Sequence, residues 1–192
     1  MKSICSKPLL ALSASMLLLT SSAAVFAQAA ASDDDKKFVE AALKGGMSEV
    51  DLGQLAVKKG NSDDVKKFGQ MMVDDHTKLG EKMKAVASDI GVTPPSMTTA
   101  GDIALKAKLE VLSGDSFDKA YIEAMVKDHE EDLKDFKHEV ATGTSPEVKK
   151  ATAAGETVIT HHLMMIKKIA AAHNVTASFS KPSAAVLASG IR

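Results

Sequence analysis

In the stretch Val65 to Ile90, apolar residues fall at Val65, Phe68, Met72, Leu79, Met83, Val86 and Ile90. The steps are three or four residues, the spacing of one buried helix face. One slot in that stripe is filled by His76. The pattern returns as Ile122, Met125, His129, Leu133, Phe136 and Val140, and again as Val148, Ala151, Gly155, Val158, His162, Met165 and Ile169. An earlier stretch presents Ala42, Gly46, Gly53 and Ala56 on one face, with Glu49 in their midst. Glycine inside a helix costs about 1 kcal/mol against alanine, so several on one face predict a close helix approach.

Punctuation divides the chain into long helices. Asp33-Asp34-Asp35 forms an acidic start and Gly60-Asn61 a stop. Ser62 caps the next helix, and Gly91 with Pro94-Pro95 ends it. Ser145-Pro146-Glu147 opens the last. The predicted helices are 33–58, 62–90, 115–142 and 145–174. Between the second and third lies a crossover in which Ile103, Leu105, Leu109 and Leu112 predict a short helix. Residues 175–192, rich in Ser and Ala, are expected to form a flexible tail. Ser62-Asp63-Asp64-Val65-Lys66-Lys67 echoes Ser145-Pro146-Glu147-Val148-Lys149-Lys150, and Phe38-Val39-Glu40-Ala41 echoes Phe117-Asp118-Lys119-Ala120. Two hairpins of related sequence, joined by one long connection, make an all-α, ferritin-like antiparallel four-helix bundle.

Residues 1–27 read as a cleaved export signal. Lys2 and Lys7 precede an apolar run from Leu9 to Leu19, and Val25-Phe26-Ala27 gives an A-x-A-like cleavage site. A periplasmic or secreted location follows, with a mature domain over 28–174. The one cysteine, Cys5, precedes the apolar run, so the mature chain has no thiolate for a disulfide or a metal. Loss of Lys2 and Lys7 takes the formal charge from −1 to −3, which gives no electrostatic case for nucleic acid. No other apolar run is long enough to span a bilayer. Homo-oligomerisation and the protein partner stay open.

Glu49, His76, His129 and His162 lie at similar heights, about 21–26 Å along helices some 40 Å long. One donor per helix at one level is the arrangement of a metal site, for iron, manganese, zinc or copper. The competing reading is a core of hydrogen-bonded histidines, with Glu49 a groove-facing acid paired with lysine. Met72, Met125 and Met165 each share a helix face with a histidine, a copper(I)-compatible set, though methionine is also a common core filler. The acids Asp74, Asp75, Asp128, Glu130, Glu131 and Asp132 are expected on solvated flanks, His161 outward, and His138 and His173 at the surface. Neither a nucleophile elbow nor a phosphate-cradling glycine loop is present. A di-iron centre needs Glu-x-x-His on two helices, whereas Val73, Val126 and Ile159 stand three residues before the histidines.

Together, Gly45-Gly46-Met47-Ser48-Glu49-Val50-Asp51-Leu52-Gly53, Met72-Val73-Asp74-Asp75-His76-Thr77-Lys78, Phe117-Asp118-Lys119-Ala120-Tyr121-Ile122, Met125-Val126-Lys127-Asp128-His129-Glu130 and His162-Leu163 resemble the bacterial exported family known as domain of unknown function 4142. The resemblance covers about Phe38 to His173. It implies a ferritin-like bundle, a signal peptide and a periplasmic or envelope location, and its motif positions fall on Glu49, His76, His129 and His162. Members are often labelled membrane proteins, a label the lack of a spanning segment does not support. Glu156-Thr157-Val158-Ile159 stands where members often have a proline before the histidine. The family brings no established reaction. The expectation is therefore an exported bundle binding one metal ion, in metal handling or stress defence. The alternative is a structural or interaction protein of the envelope with a metal-free histidine core. Oxidase chemistry is disfavoured by the missing Glu-x-x-His pairs.

Overall fold

The computed structural model describes residues 30–176, so the expected export signal and most of the expected tail lie outside the described residues. Five helices follow in order: α1 Asp33–Lys59, α2 Asp63–Asp89, α3 Ala100–Glu110, α4 Gly114–Thr142 and α5 Pro146–Ala172. Short turns fold α1 against α2 and α4 against α5. The two hairpins meet through α2 with α5 and α1 with α4, while α3, in the long connection, leans on α1 and α4. The result is an all-helical ferritin-like bundle with one long crossover.

Two apolar clusters fill it. The larger gathers Leu52, Phe68, Met72, Leu109, Tyr121, Met125 and Ile166 at one end, and the smaller Val39, Leu43, Met83, Ala87 and Val148 at the other. The polar centre lies between them. Val175 packs into the larger cluster and its amide bonds to the Ala170 carbonyl.

The α1–α2 contact is set by glycine, though by fewer glycines than the sequence suggests. A Cβ on Gly53 would lie 2.7 Å from the Gly69 carbonyl, and one on Gly69 2.8 Å from both the Ala56 Cβ and the Gly53 carbonyl. The two backbones touch there, and any side chain would push them apart. Gly45, Gly46 and Gly80, by contrast, face open space. Close approach therefore accounts for Gly53 and Gly69 and leaves Gly46 unexplained by packing.

The pseudo-repeat is carried by buried aspartates. Asp35 on α1 accepts bonds from the Thr144 amide at 2.9 Å, the Ser145 amide at 3.3 Å and the Thr144 hydroxyl, tying down the α4–α5 turn. Asp118 on α4 accepts from the Asn61 and Ser62 amides at 2.8 Å and from the Ser62 hydroxyl at 2.6 Å, tying down the α1–α2 turn. Ser62 thus spends its hydroxyl on Asp118 and does not cap α2 with its side chain, a correction to the expected role. Asp35 and Asp118, Ser62 and Ser145, and the left-handed Gly91 and Asn174 stand at one constant displacement along the chain. In that register Phe38 corresponds to Tyr121, not to Phe117.

On α5, Val148, Gly155, His162 and Ile169 of the sequence stripe are buried as expected, and the other three positions are displaced by one residue. Thr152, Ile159 and Ile166 are buried where Ala151, Val158 and Met165 were expected, and Met165 is 38% exposed. His173, expected at the surface, is half-buried and bonds Asp64 at 3.0 Å.

Two predictions concern stability. Gly69→Ala should cost about 1–3 kcal/mol in urea unfolding through overpacking, whereas Gly45→Ala should gain up to ~1 kcal/mol from helix propensity alone. The second concerns Glu139, whose carboxyl bonds the buried Asp35. Burial and the Asp35 carboxylate push Glu139 up to about 7, with Asp34 adding to the rise and Lys149 opposing it. Its stabilisation is full below the unfolded value near 4.5 and is lost as pH rises through about 7. Glu139→Gln, which keeps a donor toward Asp35 at any pH, should melt roughly 2–4 °C above wild type at pH 8 and level with it at pH 4.5.

Candidate metal centre

Each of the four long helices sends one donor inward at mid-height. Glu49 comes from α1, His76 from α2, His129 from α4 and His162 from α5, and all four are buried. The Gly53–Gly69 crossing lies one turn from Glu49 and two from His76, and holds their helices close enough for Glu49 Oε2 and His76 Nδ1 to meet at 2.8 Å. The imidazole ring centres lie 5.1 Å (His76–His162), 5.6 Å (His129–His162) and 5.9 Å (His76–His129) apart. The Phe68 ring sits 6.1 Å from His162 and 6.3 Å from His129, closing the centre on the side of the larger apolar cluster.

The outer partners fix the tautomers. His129 Nδ1 lies 3.0 Å from the Met125 carbonyl, which can only accept, so Nδ1 carries the hydrogen and Nε2 turns a lone pair inward. His162 Nε2 lies 3.2 Å from Asp75 Oδ2, so it donates and Nδ1 turns inward. The His162 Nδ1 contact with His76 Nε2 at 3.2 Å then requires His76 to donate from Nε2. His76 Nδ1 is left to accept from the Glu49 carboxyl. With every bond assigned, Glu49 Oε1 and His129 Nε2 face one another at 3.5 Å, and neither has a hydrogen-bond partner. Two buried lone pairs point at the same space.

Electrostatics agree with this proton inventory. Burial lowers His76 to about 4, against the opposing pull of Asp128 and Asp75. Burial, with the neighbouring histidines, lowers His129 to about 3. His162 falls to about 4 by burial and the His76 charge, which the Asp75 bond only partly counters. All three imidazoles are neutral at neutral pH, the ligand form. Burial raises Glu49 to about 8, with Asp102 adding to the rise and a contact with the Asp132 carboxyl partly offsetting it.

Three acids expected on solvated flanks belong to this centre. Asp75, half-buried, orients His162. Asp128 is half-buried beside Glu49, and burial plus the Glu49 charge raise it to about 7. Asp132 rises to about 9 through burial and then Glu49 and Asp128. Helical spacing hid Asp128, which adjoins His129 in sequence. Asp132 could have been found, because the repeat that relates Asp35 to Asp118 also relates Glu49 to Asp132. Potential ligand atoms within 4.8 Å of one another come from His76, His129 and His162, and from Glu49, Asp128 and His129. Met72 and Met125 are fully buried in the larger cluster one turn before their histidines. Met165 lies on the outer face of α5 and is removed from the candidate donors, because Ile166 beside it takes the buried position. His161 and His138 are exposed.

No helix of the described residues is long and apolar enough to cross a membrane. No curated protein matches the chain. Among solved structures, a DUF305 fragment from Deinococcus radiodurans matches with a TM-score of 0.66 and 13% identity, covering 74% of this chain and 99% of that one. A DUF305 protein from Streptomyces coelicolor, described provisionally as secreted, matches with a TM-score of 0.64 and 13% identity over 74% of this chain and 94% of that one. A protein named CopM, solved in its Cu(I)-bound form, matches with a TM-score of 0.60 and 17% identity over 72% and 96%. These likenesses show the fold. A family-wide sequence profile fits residues 20–169, and the chain belongs to that family, described as Domain of unknown function (DUF4142).

Proposed function

We propose that this is an exported cation-binding bundle that holds one first-row transition-metal ion between Glu49, His76, His129 and His162. The reading rests on one observation: Glu49 Oε1 and His129 Nε2, both buried and unpartnered, turn lone pairs toward each other. An unsatisfied buried polar group costs about 1–3 kcal/mol, and here two share one gap. A cation in that gap would satisfy both, and would replace the proton that Glu49 shares with His76. Three neutral imidazoles and a carboxylate suit a divalent ion such as zinc or cobalt. The carbonyl of Met125 and the carboxylate of Asp75 hold the outer nitrogens of His129 and His162, as metal-bound histidines require. Export is supported by Lys2 and Lys7, the apolar run and the A-x-A-like site. Binding without turnover, in metal handling or stress defence, fits a centre whose four donors are buried in the bundle.

Copper is a second reading. Its support is the Cu(I) carried by CopM and the burial of Met72 and Met125 one turn from their histidines. A metal-free structural module of the envelope is the outcome if nothing binds.

Protein purified from the periplasm without chelator should carry about one equivalent of metal. The His76→Ala, His129→Ala, His162→Ala triple variant should carry none, and equal content in both would contradict the reading. Adding Zn(II) at one hundred times Kd should stabilise the protein by about 2.7 kcal/mol; Cu(I) stabilising where Zn(II) does not would favour the copper reading. Asp75→Asn should weaken binding about tenfold or more, with little change in the melting of the metal-free protein.

A further inference from the structure

We propose that the cation reaches this centre through the seam between α1 and α2 at Gly46 and Gly80, with the His76 ring as the movable partition. The inference rests on the cation-site reading above and adds to it the path and the class of cargo.

Two spaces meet at this seam. Outside lies a groove of about 290 Å³ walled by Met47, Asp51, Thr77, Glu81 and Lys84 and reaching Gly46, Gly80 and His76. Inside lies a cavity of about 20 Å³ bounded by Glu49, Asp132, Phe136 and Ile159, and again by Gly46, Gly80 and His76. The three shared residues are the wall between outside and inside. Of the four donors, His76 alone borders the groove.

The glycines supply what a moving ring needs. A Cβ at Gly46 or Gly80 would meet nothing within 4 Å, so packing does not require glycine at either position. Glycine inside a helix is nevertheless unfavourable relative to alanine. Their effect is open space along the seam that His76 also lines. The ring is held by its contacts to Glu49 at 2.8 Å and His162 at 3.2 Å, and swinging toward the groove breaks both and opens the cavity. Glu49, with its unpartnered Oε1, lines the inner end of the path. The inner cavity has room for about one water. The path therefore takes a monatomic cation with most of its hydration removed and excludes chelates and organic molecules.

Co(II) alone, followed by stopped-flow absorbance in the full-length protein, tests the route. Gly46→Leu and Gly80→Leu should each slow uptake and EDTA stripping by about tenfold or more, with equilibrium affinity retained. Gly46→Ala and Gly80→Ala should keep wild-type rates. Thr77→Trp, which covers the groove from an exposed position, should slow both rates likewise and carries the test if a leucine variant does not fold. Wild-type rates in the folded leucine and tryptophan variants would overturn the route and leave the site reading standing. The route is overturned in the same way if natively melting leucine variants lose affinity, since the seam would then be part of the site. Wild-type protein that takes up no Co(II) would overturn the site reading and the route with it.

Discussion

Four antiparallel helices converge on a space where Glu49 Oε1 and His129 Nε2 face one another at 3.5 Å without a hydrogen bond between them. Most of the polar design can be traced outward from that gap. The Met125 carbonyl sets the His129 tautomer, and Asp75 sets that of His162. His76, between His162 and Glu49, has both nitrogens engaged. Moving any one of these partners would change which nitrogen faces inward. Apolar clusters above and below bury the centre, which keeps the imidazoles neutral and raises the carboxyls of Glu49, Asp128 and Asp132, while the bond to His162 holds Asp75 in its ionised form. Low dielectric is costly to a charge that lacks a partner and favourable to a cation with a complete set of donors.

The scaffold holds this centre by a repeated device. Asp35 ties the α4–α5 turn to α1, and Asp118 ties the α1–α2 turn to α4. Each hairpin is thus clamped by the first helix of the other, so helix heights are fixed at both ends of the bundle. The repeat is broken at mid-height, where Gly46 on α1 corresponds to His129 on α4, and Ile159 on α5 to His76 on α2. A symmetric frame therefore carries an asymmetric donor set. Glu49 and Asp132 are the one acidic pair that both halves keep at the centre.

Much of this was legible in the sequence, because helix caps count residues and residues count height. Ser62, Ser145 and the glycine stops were enough to bring Glu49, His76, His129 and His162 to one level. Rotation was harder to read. Around α5, Val158, Ile159, Met165 and Ile166 offer two overlapping apolar faces, and only packing against α2 and α4 decides between them; Met165 drops out of the donor set for that reason. Asp75 and Asp128 adjoin histidines in sequence, and helical geometry alone turns them away, yet close helix packing half-buries both. Glycine carried two meanings that composition does not separate: backbone contact at Gly53 and Gly69, open space at Gly46 and Gly80.

X-ray absorption spectroscopy on metal-loaded protein probes the inner coordination directly. With Zn(II) bound, the expected first shell is nitrogen and oxygen at about 2.0–2.2 Å, with the multiple-scattering pattern of three imidazoles, reduced to two in His129→Ala. A shell of water and carboxylate oxygens without imidazole, unchanged by His129→Ala, would contradict a metal centre built on these four side chains.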